Sequence, residues 1–116
     1  MKKIQSEQII NLTRHALVLG QAGIEIPPSG QFARIVWSRV ALGSLLVDEN
    51  AEMPVVKIGP QGSVIGLPEA VPGRTYLVSP ELRMFLTLTG IERKDVLSPF
   101  GILGQGEERF ASALAT

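Results

Sequence analysis

The sequence predicts an α+β fold, mostly antiparallel β-sheet with one helix. Three observations carry this expectation. Short apolar and β-branched runs recur along the chain, each closed by Gly, Pro, Asn or Asp. One segment, Pro80 to Thr89, holds apolar residues at helical spacing behind a capping serine. Twelve glycines and eight prolines interrupt the remainder too often for further long helices. About six to eight short strands joined by hairpins are expected, and both a barrel and an open sheet suit the pattern.

The elements follow in order. Ile9-Ile10-Asn11-Leu12 is a first short strand. His15 to Leu19 and Ile24 to Ile26 form a hairpin around Gly20-Gln21-Ala22-Gly23. Pro27-Pro28-Ser29-Gly30 stops it, because proline has no N–H for a ladder. Gln31 to Val40 is the longest strand candidate, with Phe32, Arg34, Val36 and Ser38 on one face and Ala33, Ile35, Trp37 and Arg39 on the other. Ala41 to Met53 fits a helical turn or a strand equally well, and Asp48-Glu49-Asn50 marks a loop. Pro54 to Ile58 and Ser63 to Ile65 read as a second hairpin turning at Gly59-Pro60-Gln61-Gly62.

Pro72-Gly73 is a turn before the strand Thr75-Tyr76-Leu77-Val78. Ser79 then caps a helix with Pro80 at its first position, Glu81 in its first turn and Gly90 beyond its end. Leu82, Phe85, Leu86 and Thr89 form its inward stripe. Asp95-Val96-Leu97 is a strand stopped by Ser98-Pro99, and Phe110 to Leu114 is the last strand. A single domain over 1–116 is expected, with residues 1–8 a flexible N-terminal segment and 100–108 a mobile loop.

Composition narrows the function. The chain has no cysteine, so disulfides and thiolate metal sites are excluded. Eleven basic and eleven acidic side chains balance, which argues against binding extended nucleic acid through a strong phosphate field and leaves little charge to oppose self-association. No apolar run is long enough to cross a membrane as a helix, and polar residues follow Lys2-Lys3 where a signal peptide would be apolar. A cytoplasmic protein without membrane or cofactor is expected.

Ordered segments along the chain resemble those of a group of small uncharacterised proteins found in phages and bacteria. Asn11-Leu12-Thr13-Arg14-His15 is similar to the group's Asn-Leu-Thr-Pro-His start, with Arg14 in place of proline. Ile26 to Arg34 resembles its Pro-Pro-Ser-Gly-x-x-Ala-Arg segment, and Gly66-Leu67-Pro68 through Pro72-Gly73 to Ser79 its Gly-Leu-Pro and Pro-Gly-x-x-Tyr-x-Val-Ser segments. Arg93 to Pro99 looks like its Arg-x-Asp-x-x-x-Pro segment. The end of the chain matches poorly. The resemblance implies a phage-like origin, with a host-cytoplasm location, and brings no established activity.

Few residues carry chemistry. His15 is the only histidine; as a general base it needs a nucleophile or an orienting carboxylate, for which Glu25, Asp48 and Asp95 are the candidates. The simpler reading makes it a polar cap at a strand end, with Asn11 and Thr13 bonding local backbone. Pro27 to Gly30 lacks the spacing and lysine of a phosphate loop, and Gly101 to Gly106 lacks the strand-to-helix setting of a dinucleotide fingerprint. Arg34 lies in an apolar strand, so it pairs with a carboxylate, reaches solvent or awaits an anion. With Arg74, Trp37 and Tyr76 it forms a candidate ligand set, in which an aromatic ring stacks on a base while an arginine holds phosphate. One histidine and scattered carboxylates give no metal-ligand pattern.

The first reading is therefore a small non-enzymatic binding or interaction domain that self-associates. The alternative is a phage accessory protein that sequesters a nucleotide or other small anion, and the weakest is a hydrolase using His15.

Overall fold

The computed structural model describes residues 6–116. In chain order these form β1 (Gln8–Asn11), β2 (Leu17–Leu19), β3 (Ile24–Ile26), β4 (Arg34–Asp48), β5 (Ala51–Ile65) and β6 (Arg74–Leu77), then α1 (Pro80–Leu88), β7 (Val96–Leu103), a 3₁₀ turn at Gly106–Glu108, and β8 (Phe110–Ala115). Where the sequence predicts one domain, the described residues fall into two compact units. One comprises Gly66–Thr116 with the described residues up to Arg34; the other is Ile35–Ile65.

The first unit is a six-stranded sheet in the order β1-β6-β7-β8-β2-β3. A parallel bridge between Asn11 and Pro28, just beyond β3, brings the last strand back to the first and nearly closes a barrel. The α+β class, barrel-like sheet and single helix thus stand as expected. β2–β3 and β7–β8 pair antiparallel. Parallel pairs join β1 to β6 (Ile10 opposite Tyr76), β6 to β7 (Tyr76 opposite Val96) and β2 to β8 (Leu19 opposite Ala111). The Tyr76-Leu77-Val78 run is buried at successive positions, as a central strand covered on both faces must be. Leu12, Leu82, Leu86, Val96 and Ala111 complete this core.

Local chemistry explains the boundaries. The Arg74 N–H bonds the Val71 carbonyl at 3.1 Å across Pro72-Gly73, and Gly73 has φ +83°, which is the type II arrangement that needs glycine in the third position. The Ser79 hydroxyl accepts the Leu82 N–H at 3.2 Å and starts α1, with Pro80 in its first turn. The helix packs on β7. Its inward face differs from the expected stripe: Arg83 is buried beside Leu82 and Leu86, whereas Thr89 is exposed.

Several boundaries are corrected. Gly59-Pro60-Gln61-Gly62 is not a turn but the interior of β5, and the unsettled segment 41–53 is strand on both sides of a Glu49-Asn50 turn. A strand with one neighbour tolerates proline, since half of its N–H groups face no partner. Ser98-Pro99 likewise fails to stop β7. β6 pairs with β7 only at Tyr76 and Leu77, so Pro99, opposite Leu114 on β8, owes no bond to its other side. Residues 100–103 therefore belong to β7 rather than to a mobile loop, and 106–108 form the 3₁₀ turn. Of the expected flexible segment 1–8, residues 1–5 lie outside the described residues. Glu7 and Gln8 both donate backbone N–H bonds to the Gly73 carbonyl, at 2.8 and 2.9 Å.

The barrel is stapled at Asn11, which is 1% exposed. Its amide Nδ2 donates to the carbonyls of His15 (2.8 Å) and Ile26 (3.0 Å), and its Oδ1 accepts from the Thr13 N–H (2.9 Å) and hydroxyl (2.6 Å). Its carbonyl accepts from Ser29 N–H (3.0 Å) and Oγ (2.7 Å). Replacing this side chain removes the bonds to the Ile26 carbonyl and from the Thr13 N–H in a part-buried site, while the His15 carbonyl keeps the Thr13 hydroxyl. Asn11→Ala is expected to lower unfolding free energy by about 2–4 kcal/mol, and Ser29→Ala by about 1 kcal/mol. Urea unfolding with a constant m-value checks both.

Candidate functional site

A cleft of about 290 Å³ opens where β1 turns toward β2, and Leu12 to His15, Phe32 to Arg34 and Ser79 line it. Three connected causes place these residues together. The Asn11 amide holds the turn 13–15. The Leu12 N–H bonds the Leu77 carbonyl at 2.8 Å, and the Ala33 N–H bonds the Leu12 carbonyl at 3.0 Å. Ser79 follows β6 directly and starts α1 beside them.

The lining is cationic. It contains Arg14, Arg34 and His15 and no carboxylate. The Arg14 guanidinium lies 4.9 Å from the centroid of the Phe32 ring, a cation–π contact that fixes an otherwise exposed side chain. Arg34 is exposed, so of its three expected fates it takes the solvent-facing one. At His15 it is the backbone carbonyl, not the ring, that receives the Asn11 and Thr13 bonds; the imidazole is exposed.

Of the expected ligand set, Arg34 alone lines this cleft; His15, considered separately, is the other expected residue found there. Tyr76 is 1% exposed, and its hydroxyl donates to the Glu69 carbonyl at 3.4 Å; a ring sealed in the barrel has no face left for a base. Arg74 is exposed at the start of β6, opposite Gln8. Trp37 is half-buried in the Ile35–Ile65 unit. Arg14, Phe32 and Ser79 were not singled out as ligand residues. The alternation that puts Phe32 and Arg34 on one face is the signal for the second of them; the fold alone supplies the others.

None of the carboxylates considered for His15 lines its cleft. Asp48 ends β4, and Glu25 lines a separate cleft with Glu107, Glu108 and Arg109. Asp95 is held by a bidentate pair: Arg93 Nε and Nη2 each reach a different carboxylate oxygen at 2.8 Å, and Nη2 also donates to the Pro68 carbonyl at 2.9 Å. Buried Arg83 lies close by, donating to the carbonyls of Arg93 and Val96 at 3.0 Å and to the Thr87 hydroxyl at 3.2 Å, while its Nε has no partner. Among the described residues no group of three or more His, Asp or Glu side chains is arranged to hold a metal ion, and no helix is long and apolar enough to cross a membrane. No family model, curated protein or solved structure matches the chain.

The hydrogen bonds from Arg93 hold the Asp95 carboxyl below the ordinary aspartate range, with desolvation opposing them and the Arg93 and Arg83 charges adding to them. A carboxyl depressed on folding stabilises the protein fully above its unfolded pKa, about 4. That contribution fades as pH falls through the folded value. Asp95→Asn is expected to cost about 1–2 kcal/mol at neutral pH and to flatten the acid limb of stability. Urea midpoints measured from pH 7 down to pH 2 check this: the two proteins should converge at the acid end.

Proposed function

We propose that this chain is a small non-enzymatic interaction domain of phage or mobile-element type that self-associates in its host's cytoplasm. One observation carries the self-association. Between β4 and β5, large aliphatic side chains stand in solvent: Val40, Leu42, Leu45, Leu46, Met53 and Ile58 are each 56–67% exposed. They alternate on both parities of the strands, so neither face of the ribbon is polar. A two-stranded ribbon is marginal in water by itself, and clustered exposed apolar side chains mark an interaction surface. Zero formal charge opposes association little. The phage or mobile-element assignment rests on the ordered resemblance from Asn11 to Pro99.

A second reading has its own support. Arginine forks suit phosphate and carboxylate groups, and the Arg14–Arg34–His15 cleft offers them without a competing acid. In this reading the barrel sequesters a small anion such as a nucleotide, recognised through its phosphate.

Light scattering across a hundredfold concentration range tests the first reading. A dimer is expected, and Leu46→Glu should convert it to monomer while leaving the circular dichroism spectrum intact; a strict monomer throughout rejects self-association. For the second, thermal shifts with inorganic phosphate and a panel of linear and cyclic nucleotides are decisive. A ligand at about 100 Kd should raise Tm by on the order of 10 °C, and Arg34→Ala should abolish the rise. A flat panel rejects it.

A further inference from the structure

We infer that two copies of this chain join β4 to β4 in opposite directions, giving a continuous four-stranded sheet with Ser44 on the two-fold axis. The pairing rests on the self-association proposed above and supplies its geometry. Among the described residues β4 pairs with β5 on one side and with no strand on the other, which leaves the N–H and C=O groups of the Val40 to Asp48 stretch without a ladder along that edge. The sequence distinguishes the ribbon's two edges. β5 contains Pro54 and Pro60, whereas all fifteen residues of β4 keep their N–H groups. A strand added to β4 meets no proline; one added to β5 meets two.

Charge sets the direction. Asp48, Glu49 and Glu52 surround the turn of the ribbon, and its cations, Arg34, Arg39 and Lys57, lie further down the strands. A parallel pair would bring two acidic ends together. An antiparallel pair sets each acidic end against the partner's cations, which favours that register.

The register follows from side-chain parity. A two-fold axis normal to a sheet pairs residues of equal parity. Centred on Ser44, it sets Arg39 opposite Glu49 and Leu42 opposite Leu46 of the second copy. Cations then meet anions at both ends and leucines meet at the centre. Side by side in one sheet, the aliphatic side chains of the two ribbons adjoin across the seam, Leu42 beside Leu46 of the second copy.

The absence of cysteine makes the register directly measurable. Single-cysteine variants of the full chain are oxidised mildly and scored on non-reducing gels, with light scattering of the unmodified protein in parallel. Ser44→Cys is expected to form a linked dimer, because paired residues across antiparallel strands fall within disulfide reach. Glu49→Cys alone should stay unlinked, and a mixture of Glu49→Cys with Arg39→Cys should link. Arg39→Glu should weaken the dimer at least tenfold at low salt, and Arg39→Glu with Glu49→Arg in one chain should restore it. A dimer by light scattering in which Ser44→Cys stays unlinked, or Glu49→Cys links to itself, overturns this pairing while self-association survives. A strict monomer overturns both.

Discussion

The Asn11 carboxamide is the interaction on which the barrel and its cleft both depend. Both of its N–H donors are used, on the carbonyls of His15 and Ile26, and its oxygen takes two bonds from Thr13. The residue's own carbonyl takes two more from Ser29. Three stretches of chain that share no regular ladder at this point are thereby bound to the end of β1. A water-inaccessible amide satisfied on every side is rigid, because each alternative rotamer would break several bonds without solvent to replace them. The parallel Asn11–Pro28 bridge that nearly closes the barrel is made at the same residue.

The cleft inherits its shape from that staple. Leu12 is fixed between the Leu77 carbonyl and the Ala33 N–H, so the chain on either side presents Arg14 and His15 next to Phe32 and Arg34. Two cationic side chains in a concave site, one resting on an aromatic ring, form a surface that attracts anions. The other arginine cluster has a different character. Arg93 is committed to Asp95 and to the Pro68 carbonyl, and Arg83 to the carbonyls of β7 and the loop before it. Those guanidinium groups hold the helix and its following loop to the sheet; they are used for folding rather than offered to solvent.

Among the described residues, the buried apolar core lies in the barrel unit alone. In the barrel unit, large apolar residues such as Leu12, Leu77, Val78 and Val96 are fully enclosed, and the polar groups beside them are hydrogen-bonded except the Arg83 Nε. Along β4 and β5, side chains as apolar as these stay in water. A sequence that keeps leucine, isoleucine and methionine exposed on a two-stranded ribbon leaves hydrophobic energy available for association, at the risk of uncontrolled edge pairing. The prolines of β5 and the acids of the turn limit that risk on one edge and at one end.

Much of the fold is legible in the residues. Ser79-Pro80-Glu81 with Gly90 marks the helix because capping chemistry is local. Pro72-Gly73 and Gly20 to Gly23 mark turns because φ preferences are local too. The misread segments share one cause. Pro60 and Pro99 look like strand breakers, and they break a strand only where a second neighbour needs their N–H; which strands have one neighbour is decided by sheet order. For the same reason the sequence could identify Tyr76 as a strand residue but not that its ring is buried in the barrel unit, and it could offer Arg34 and His15 without their meeting at Phe32. By itself the sequence determined the α+β class, the helix and the turns, since these depend on neighbours in the chain. The tertiary structure alone decided the parallel pairings, the near-closure at Asn11, the buried Arg83 and the open ribbon, because each depends on hydrogen bonds and contacts between residues far apart in sequence.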